Sequence, residues 1–156
     1  YADITLFSSN RTLISKSGKP LFTTGFAKNS GVFSRDDIIN KMAQSANPIG
    51  DPSTGLVRTS AIGMFQFTEQ YPFMVDLDFW LHILSHGKMM HTPTNLSYFR
   101  VSGNALSSQF LRNYCDNARF YRKMTKSKLT GWQYCLGFIN FTARAWCRHF
   151  IYLFNK

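Results

Sequence analysis

Apolar and polar positions alternate across residues 2–8 (A-D-I-T-L-F-S), the period of a strand with one buried face. Turn-forming residues follow at 10–12 and at 15–20 (S-K-S-G-K-P), with Ile14 as the apolar position between them. Residues 21–26 read as a second short extended segment and 28–31 as a loop. Ser34 then precedes Arg35-Asp36-Asp37 and the apolar Ile38, Ile39 and Met42. A serine N-cap with two aspartates in the first turn predicts a helix running to about Ser45. Residues 47–55 hold two Pro and two Gly and break it. Residues 56–60 follow as a short strand, and 65–73 as a loop with exposed aromatics.

A second helix is predicted where Asp76 and Asp78 open a run with Leu77, Trp80, Leu81 and Leu84 at helical spacing. His86 falls in its last turn, and Gly87 is expected as the left-handed residue that ends it. Residues 89–92 and 96–101 read as two strands on either side of Pro93. The chain beyond Gln109 reads as helical with a break at Thr130-Gly131. Strands and helices interleaved in this way predict an α/β fold.

The 156 residues suit one domain with a single core, and 44% hydrophobic content excludes a disordered chain. The formal net charge of +10 implies an anionic partner: nucleic acid, anionic lipid or a phosphate-bearing substrate. Much of the excess falls on Arg112, Arg119, Arg122, Lys123, Lys126 and Lys128, opposed there only by Asp116. Cys115, Cys135 and Cys147 form no C-x-x-C pair, and their odd number argues against a disulfide framework, so a cytoplasmic setting is expected. His82, His86, His91 and His149 lack companions at zinc-site spacing. The most apolar stretch, residues 132–154, is interrupted by Arg144 and Arg148, which favours an interfacial or core-docked amphipathic helix over a membrane span. The chain starts at Tyr1 with no secretory leader pattern, and is expected to be a fragment or a truncated product.

Three segments point to a chemistry. Val75-Asp76-Leu77-Asp78-Phe79-Trp80-Leu81 opens a helix with acidic residues. Ahead of it stand Ser53-Thr54-Gly55-Leu56-Val57-Arg58 and Ile62-Gly63-Met64-Phe65. After it comes Tyr98-Phe99-Arg100-Val101-Ser102-Gly103-Asn104-Ala105-Leu106-Ser107-Ser108. In order and spacing, over roughly residues 53–108, these pieces resemble the acceptor side of inverting family 2 glycosyltransferases. Residues 2–19 are similar to the segment that follows the donor-site motif in that family. Two positions depart from the family pattern: Val75 stands where a Glu is usual, and Ser102 where a His is usual.

The resemblance implies a partial GT-A fold, Rossmann-like with a mixed sheet, in residues 1–108, and a basic, aromatic helical tail in residues 109–156. It implies transfer of a sugar from a nucleotide-sugar donor to a saccharide or lipid-linked acceptor, with Asp76 as the base. Such a step needs one positioned carboxylate, because a sugar hydroxyl is a poor nucleophile until its proton is taken. Asp51, Ser53, Trp80 and Arg100 are the expected acceptor contacts, Arg100 being equally able to hold a phosphate oxygen or Asp76 itself. Asp78 is expected to serve the helix start and to pair with His82. The divalent metal (Mn or Mg) of the family would be held by a D-x-D motif, which does not precede the strand in this chain. Asp36-Asp37 reads as helix capping instead. The metal ligands and the nucleotide-binding half are therefore expected outside these residues. Two non-catalytic readings stay open: a nucleic-acid-binding module, which no recognised signature supports, and a module that binds an anionic membrane surface on its cytoplasmic face.

Overall fold

The computed structural model describes residues 2–45, 47–67, 71, 74–101, 114–126 and 128–154, and of the side chains from 148 onward only that of Phe150. The chain is a mixed α/β protein built on one curled sheet. Its strands are β1 (Ile4–Ile14), β2 (Pro20–Thr24), β3 (Gly31–Phe33), β4 (Gly55–Val57) and β5 (Lys88–Arg100). The helices are α1 (Arg35–Lys41), α2 (Val75–Ile83), α3 (Tyr114–Thr125) and α4 (Gly131–Phe154).

β1 and β5 lie parallel along most of their length and form the spine. The other edge of β1 is shared: β4 pairs antiparallel with residues 6–8, and β2 pairs antiparallel with residues 11–14. β3 closes the far side, antiparallel to β5 at residues 89–91. The connection between β1 and β5 passes through β2, β3, α1, β4 and α2, which packs the helices against the sheet.

The polar stretch at 10–12, expected as a turn, is instead continuous strand. Both of its edges find ladder partners, Thr12 with Thr23 on one side and with Tyr98 on the other. Backbone pairing on two sides outweighs local turn preference. Pro93 likewise does not divide β5. The ladder skips from Ser9–Thr92 to Asn10–Asn95, and the bulged Pro93 carbonyl accepts a 2.9 Å hydrogen bond from Asn10 Nδ2. The short strand expected at 56–60 covers Gly55–Val57, followed by a 3-10 turn at Thr59–Ala61.

α1 starts as its sequence predicts. Ser34 Oγ accepts the Asp37 amide, and the Asp37 carboxylate accepts the Ser34 amide at 2.7 Å. It stops at Lys41 rather than Ser45, with Met42 as C-cap. Asp36 meets Lys128 at 3.1 Å in an exposed ion pair.

Leu84, not Gly87, follows the end of α2, and His86 lies beyond the helix. Gly87 is not a left-handed residue: among the described residues the positive-φ glycines are Gly18, Gly50 and Gly63. Gly87 is required for a different reason, since a Cβ there would come within 2.5 Å of the Asp3 carbonyl.

One hydrophobic core joins all of this. Leu6 and Met89 of the sheet pack with Ile38 and Ile39 of α1 and with Leu77, Trp80 and Leu81 of α2. Phe120 and Tyr121 of α3 and Phe141 and Ala145 of α4 belong to the same cluster. Tyr121 Oη also donates to the Met42 carbonyl at 3.2 Å, and its burial pushes its pKa up to about 12. The helical break expected at Thr130-Gly131 is present between α3 and α4.

Candidate active site around Asp76

Asp76 and Trp80 stand four residues apart on α2 and so share one face of it. That face meets residues 47–54. Trp80 is fully buried, and its Nε1–H donates to the Gly50 carbonyl at 3.0 Å. The loop is fixed from within as well. Asn47 Nδ2 donates to the same carbonyl at 2.9 Å, and its Oδ1 accepts the Gly50 amide at 3.0 Å. Gly50 has φ +111°, and an added Cβ would lie 2.6 Å from Arg11 Nη1. Only glycine suits a backbone so shaped and so close to a guanidinium.

Arg11 projects from β1 and forms an ion pair with Asp51, both side chains being mostly buried. It also lies over the Phe99 ring, 5.3 Å from its centroid. Asp51 is in addition the cap of the 3-10 turn Pro52–Thr54, accepting the Ser53 amide at 3.0 Å and the Ser53 hydroxyl.

Asp76 is half-buried, and among the described residues no hydrogen bond closes on its carboxylate. Burial raises its pKa above the ordinary aspartate value, and the Arg11 charge pulls in the opposite direction with smaller effect. The result is a carboxylate that holds a proton more readily than an exposed one and that no hydrogen bond from the described residues engages. Asp78, two residues on, is also raised by burial, with Lys123 and then His82 countering. His82 acts on Asp78 through its charge, while its Nε2 sits 3.0 Å from the Ile62 carbonyl and its ring lies tilted against Phe65.

Asp76, Asp51 and Trp80 are thus brought to one place, linked by Arg11 and Gly50. Trp80 is no sugar platform, since its ring is enclosed; it fixes the loop instead. Ser53 is exposed beside Asp51. Arg100 is not part of the cluster. Its Nη1 donates to the carbonyls of Ser15 (3.2 Å) and Lys16 (2.9 Å), so it braces the β1–β2 turn. The cation beside Asp76 is Arg11, which sequence reasoning passed over because it placed residues 10–12 in a turn. The sole signal for it was position, three residues before the end of a strand that crosses the sheet. Residues 102–108 of the third motif, and most of the loop at 65–73, lie outside the described residues.

Among the described residues no three His, Cys, Asp or Glu side chains gather as a metal site. Asp36, Asp37 and Asp51 are engaged by Lys128, Ser34 and Arg11 respectively.

No family model matches the chain, and neither the curated proteins nor the solved structures contain a significant match to it.

Proposed function

We propose that this chain supplies the acceptor side of a sugar transfer that proceeds with inversion, in a GT-A type of arrangement, with Asp76 as general base. The observation that carries the reading is the state of Asp76: half-buried, raised in pKa, and free of a hydrogen bond among the described residues. In the proposed step the acceptor hydroxyl gives its proton to the Asp76 carboxylate as its oxygen bonds to the anomeric carbon. The bond from that carbon to the nucleoside diphosphate breaks on the opposite face, and the diphosphate leaves with the electron pair. The Arg11 charge favours the ionised form of Asp76, offsetting part of the effect of its burial. Asp51 and Ser53 form the rim on which a saccharide or lipid-linked acceptor would rest.

The test is Asp76→Asn in the whole gene product, assayed with nucleotide-sugar donors and saccharide or lipid-linked acceptors. Transfer should fall by about a hundredfold or more, with donor binding retained. Turnover at the wild-type rate would remove Asp76 as the base. In the wild type, activity should decline as pH falls through the raised Asp76 pKa, since only the ionised carboxylate accepts a proton.

A further inference from the structure

α3 and the turn after it carry Arg119, Arg122, Lys123, Lys126 and Lys128 against the single acid Asp116. The two ends of this run are neutralised. Arg119 pairs with Asp116 at 2.9 Å, and Lys128 reaches Asp36 of α1 at 3.1 Å. The three cations between them, Arg122, Lys123 and Lys126, close no ion pair among the described residues. The Lys126 amide still bonds to the Arg122 carbonyl at 3.0 Å, so the helical spacing holds to this point. Lys126 stands four residues from Arg122 and three from Lys123, which puts all three on one side of α3, where like charges repel.

That side faces the start of α4 across a cleft of about 840 Å³, lined by the three cations with Leu129, Gly131 and Tyr134. Its size is that of a small-molecule site. Part of its wall is apolar: Leu129 is buried, and Tyr134 is half-buried with its ring stacked on Phe138. α4 also fixes one of the cations. Tyr134 Oη accepts a 3.0 Å hydrogen bond from Arg122 Nε, and the guanidinium lies 5.9 Å from the Phe138 ring centroid. Arg122 Nη1 and Nη2, the edge that pairs with two oxygens of a phosphate, donate to nothing among the described residues.

We infer that this cleft binds a phosphate-bearing small molecule, with Arg122, Lys123 and Lys126 holding the phosphates and Leu129 and Tyr134 against its less polar part. An anion seated there relieves the repulsion among the three cations. The phosphate belongs to a soluble ester or diphosphate, or to a lipid headgroup; the cations meet the same group in either. The arrangement is a pocket and not a track. Single-stranded nucleic acid takes a basic groove that follows its backbone over several nucleotides. Here the run of charge is cut at both ends, by the ion pairs of Arg119 and Lys128. The cleft is also separate from the Asp76 site. The Lys123 charge acts on Asp78, and two residues along a helix turn Asp78 to nearly the opposite side of α2 from Asp76. The inference is independent of sugar transfer, and Asp76→Asn should leave it intact.

The experiment is isothermal titration calorimetry of the full chain, at low ionic strength, with inorganic pyrophosphate and with inorganic phosphate. Pyrophosphate should bind at a single site, roughly tenfold or more tighter than phosphate, because it meets more than one of the cations. Lys123→Gln with Lys126→Gln changes exposed positions and should keep the wild-type melting temperature. That pair should weaken pyrophosphate roughly tenfold or more. Tyr134→Phe keeps the ring but frees Arg122, and should also weaken binding. Lys16→Gln with Lys28→Gln removes the same charge at exposed positions that do not line the cleft, and should leave binding within about twofold of the wild type. Flotation with phosphatidylcholine vesicles, with and without phosphatidic acid, separates the two sources. Partition onto the anionic vesicles that pyrophosphate competes away places the phosphate on a lipid; no partition leaves a soluble ligand. Absence of pyrophosphate binding would overturn the proposal, as would binding that both lysine pairs weaken equally, the mark of net charge alone. Tight binding of a single-stranded oligonucleotide that pyrophosphate does not displace would assign the cations to nucleic acid and overturn it too.

Discussion

Arg11 on β1 and Asp51 at the cap of a 3-10 turn, 40 residues apart in the chain, form an ion pair in which each side chain is 17% exposed. The pair ties the central strand to the loop that Trp80 holds from the other side, and it positions the Arg11 charge that draws the Asp76 pKa down against its burial. Replacing Arg11 by Gln should therefore do two things. Stability should drop by on the order of 3 kcal/mol, because Asp51 is left buried without its counter-charge. The Asp76 pKa should rise further, which NMR titration of the carboxyl carbon would detect as a later midpoint. An unchanged midpoint would mean that Arg11 does not act on Asp76.

Asp76 itself should cost stability when ionised. Its folded pKa lies above the unfolded value, so the native state binds the proton more tightly, and stability declines as pH rises from the unfolded pKa through the folded one. The loss is complete only above the folded pKa. Asp76→Asn should then raise the melting temperature at pH 7 and leave it little changed at pH 3, an opposite trend to its effect on transfer. Calorimetry at the two pH values distinguishes this from a structural role, in which the variant would melt lower at both.

Trp80→Phe should remove the hydrogen bond to the Gly50 carbonyl while retaining most of the buried ring. The expected loss is about 1–3 kcal/mol from the lost bond and the smaller ring. Asn47 still serves the Gly50 carbonyl, so the loop should loosen rather than unfold. Hydrogen exchange at the Gly50 and Ser53 amides should accelerate before exchange in β1 does. Uniform acceleration across the sheet would contradict the local role given to Trp80.

His91 offers a second pH signal, away from the site. It is buried, its Nδ1 lies 2.8 Å from Ser8 Oγ, and its Nε2 lies 3.2 Å from the Ala27 carbonyl. Burial lowers its pKa, with the Ala27 contact opposing. The unfolded state thus takes up a proton at a higher pH than the native state. Stability should fall as pH drops below about 6.5, the ordinary histidine value, and should level off below the lowered folded pKa. Urea midpoints measured from pH 8 to pH 5 should show this slope in the wild type and lose it in His91→Gln.

The sequence alone determined the local features of this protein. Ser34 and Asp37 specify a helix start because a capping box needs nothing beyond four consecutive residues. Asp76, Leu77, Trp80 and Leu81 specify an amphipathic helix by their spacing, and Thr130-Gly131 a break between two others. The α/β class follows from such patterns. Tertiary structure decided what depended on partners distant in the chain. Residues 10–12 are strand because β5 and β2 flank them, and β5 continues past Pro93 because Asn10 accommodates the bulge. Arg100, the cation expected near Asp76, turned to the carbonyls of Ser15 and Lys16, while Arg11 met Asp51. Periodicity shows which face a residue occupies, but an ion pair is chosen by what the fold places opposite it. The two faces of α4 make the same point: sequence marked the helix as amphipathic, and only packing showed which apolar side the core takes and which it leaves exposed.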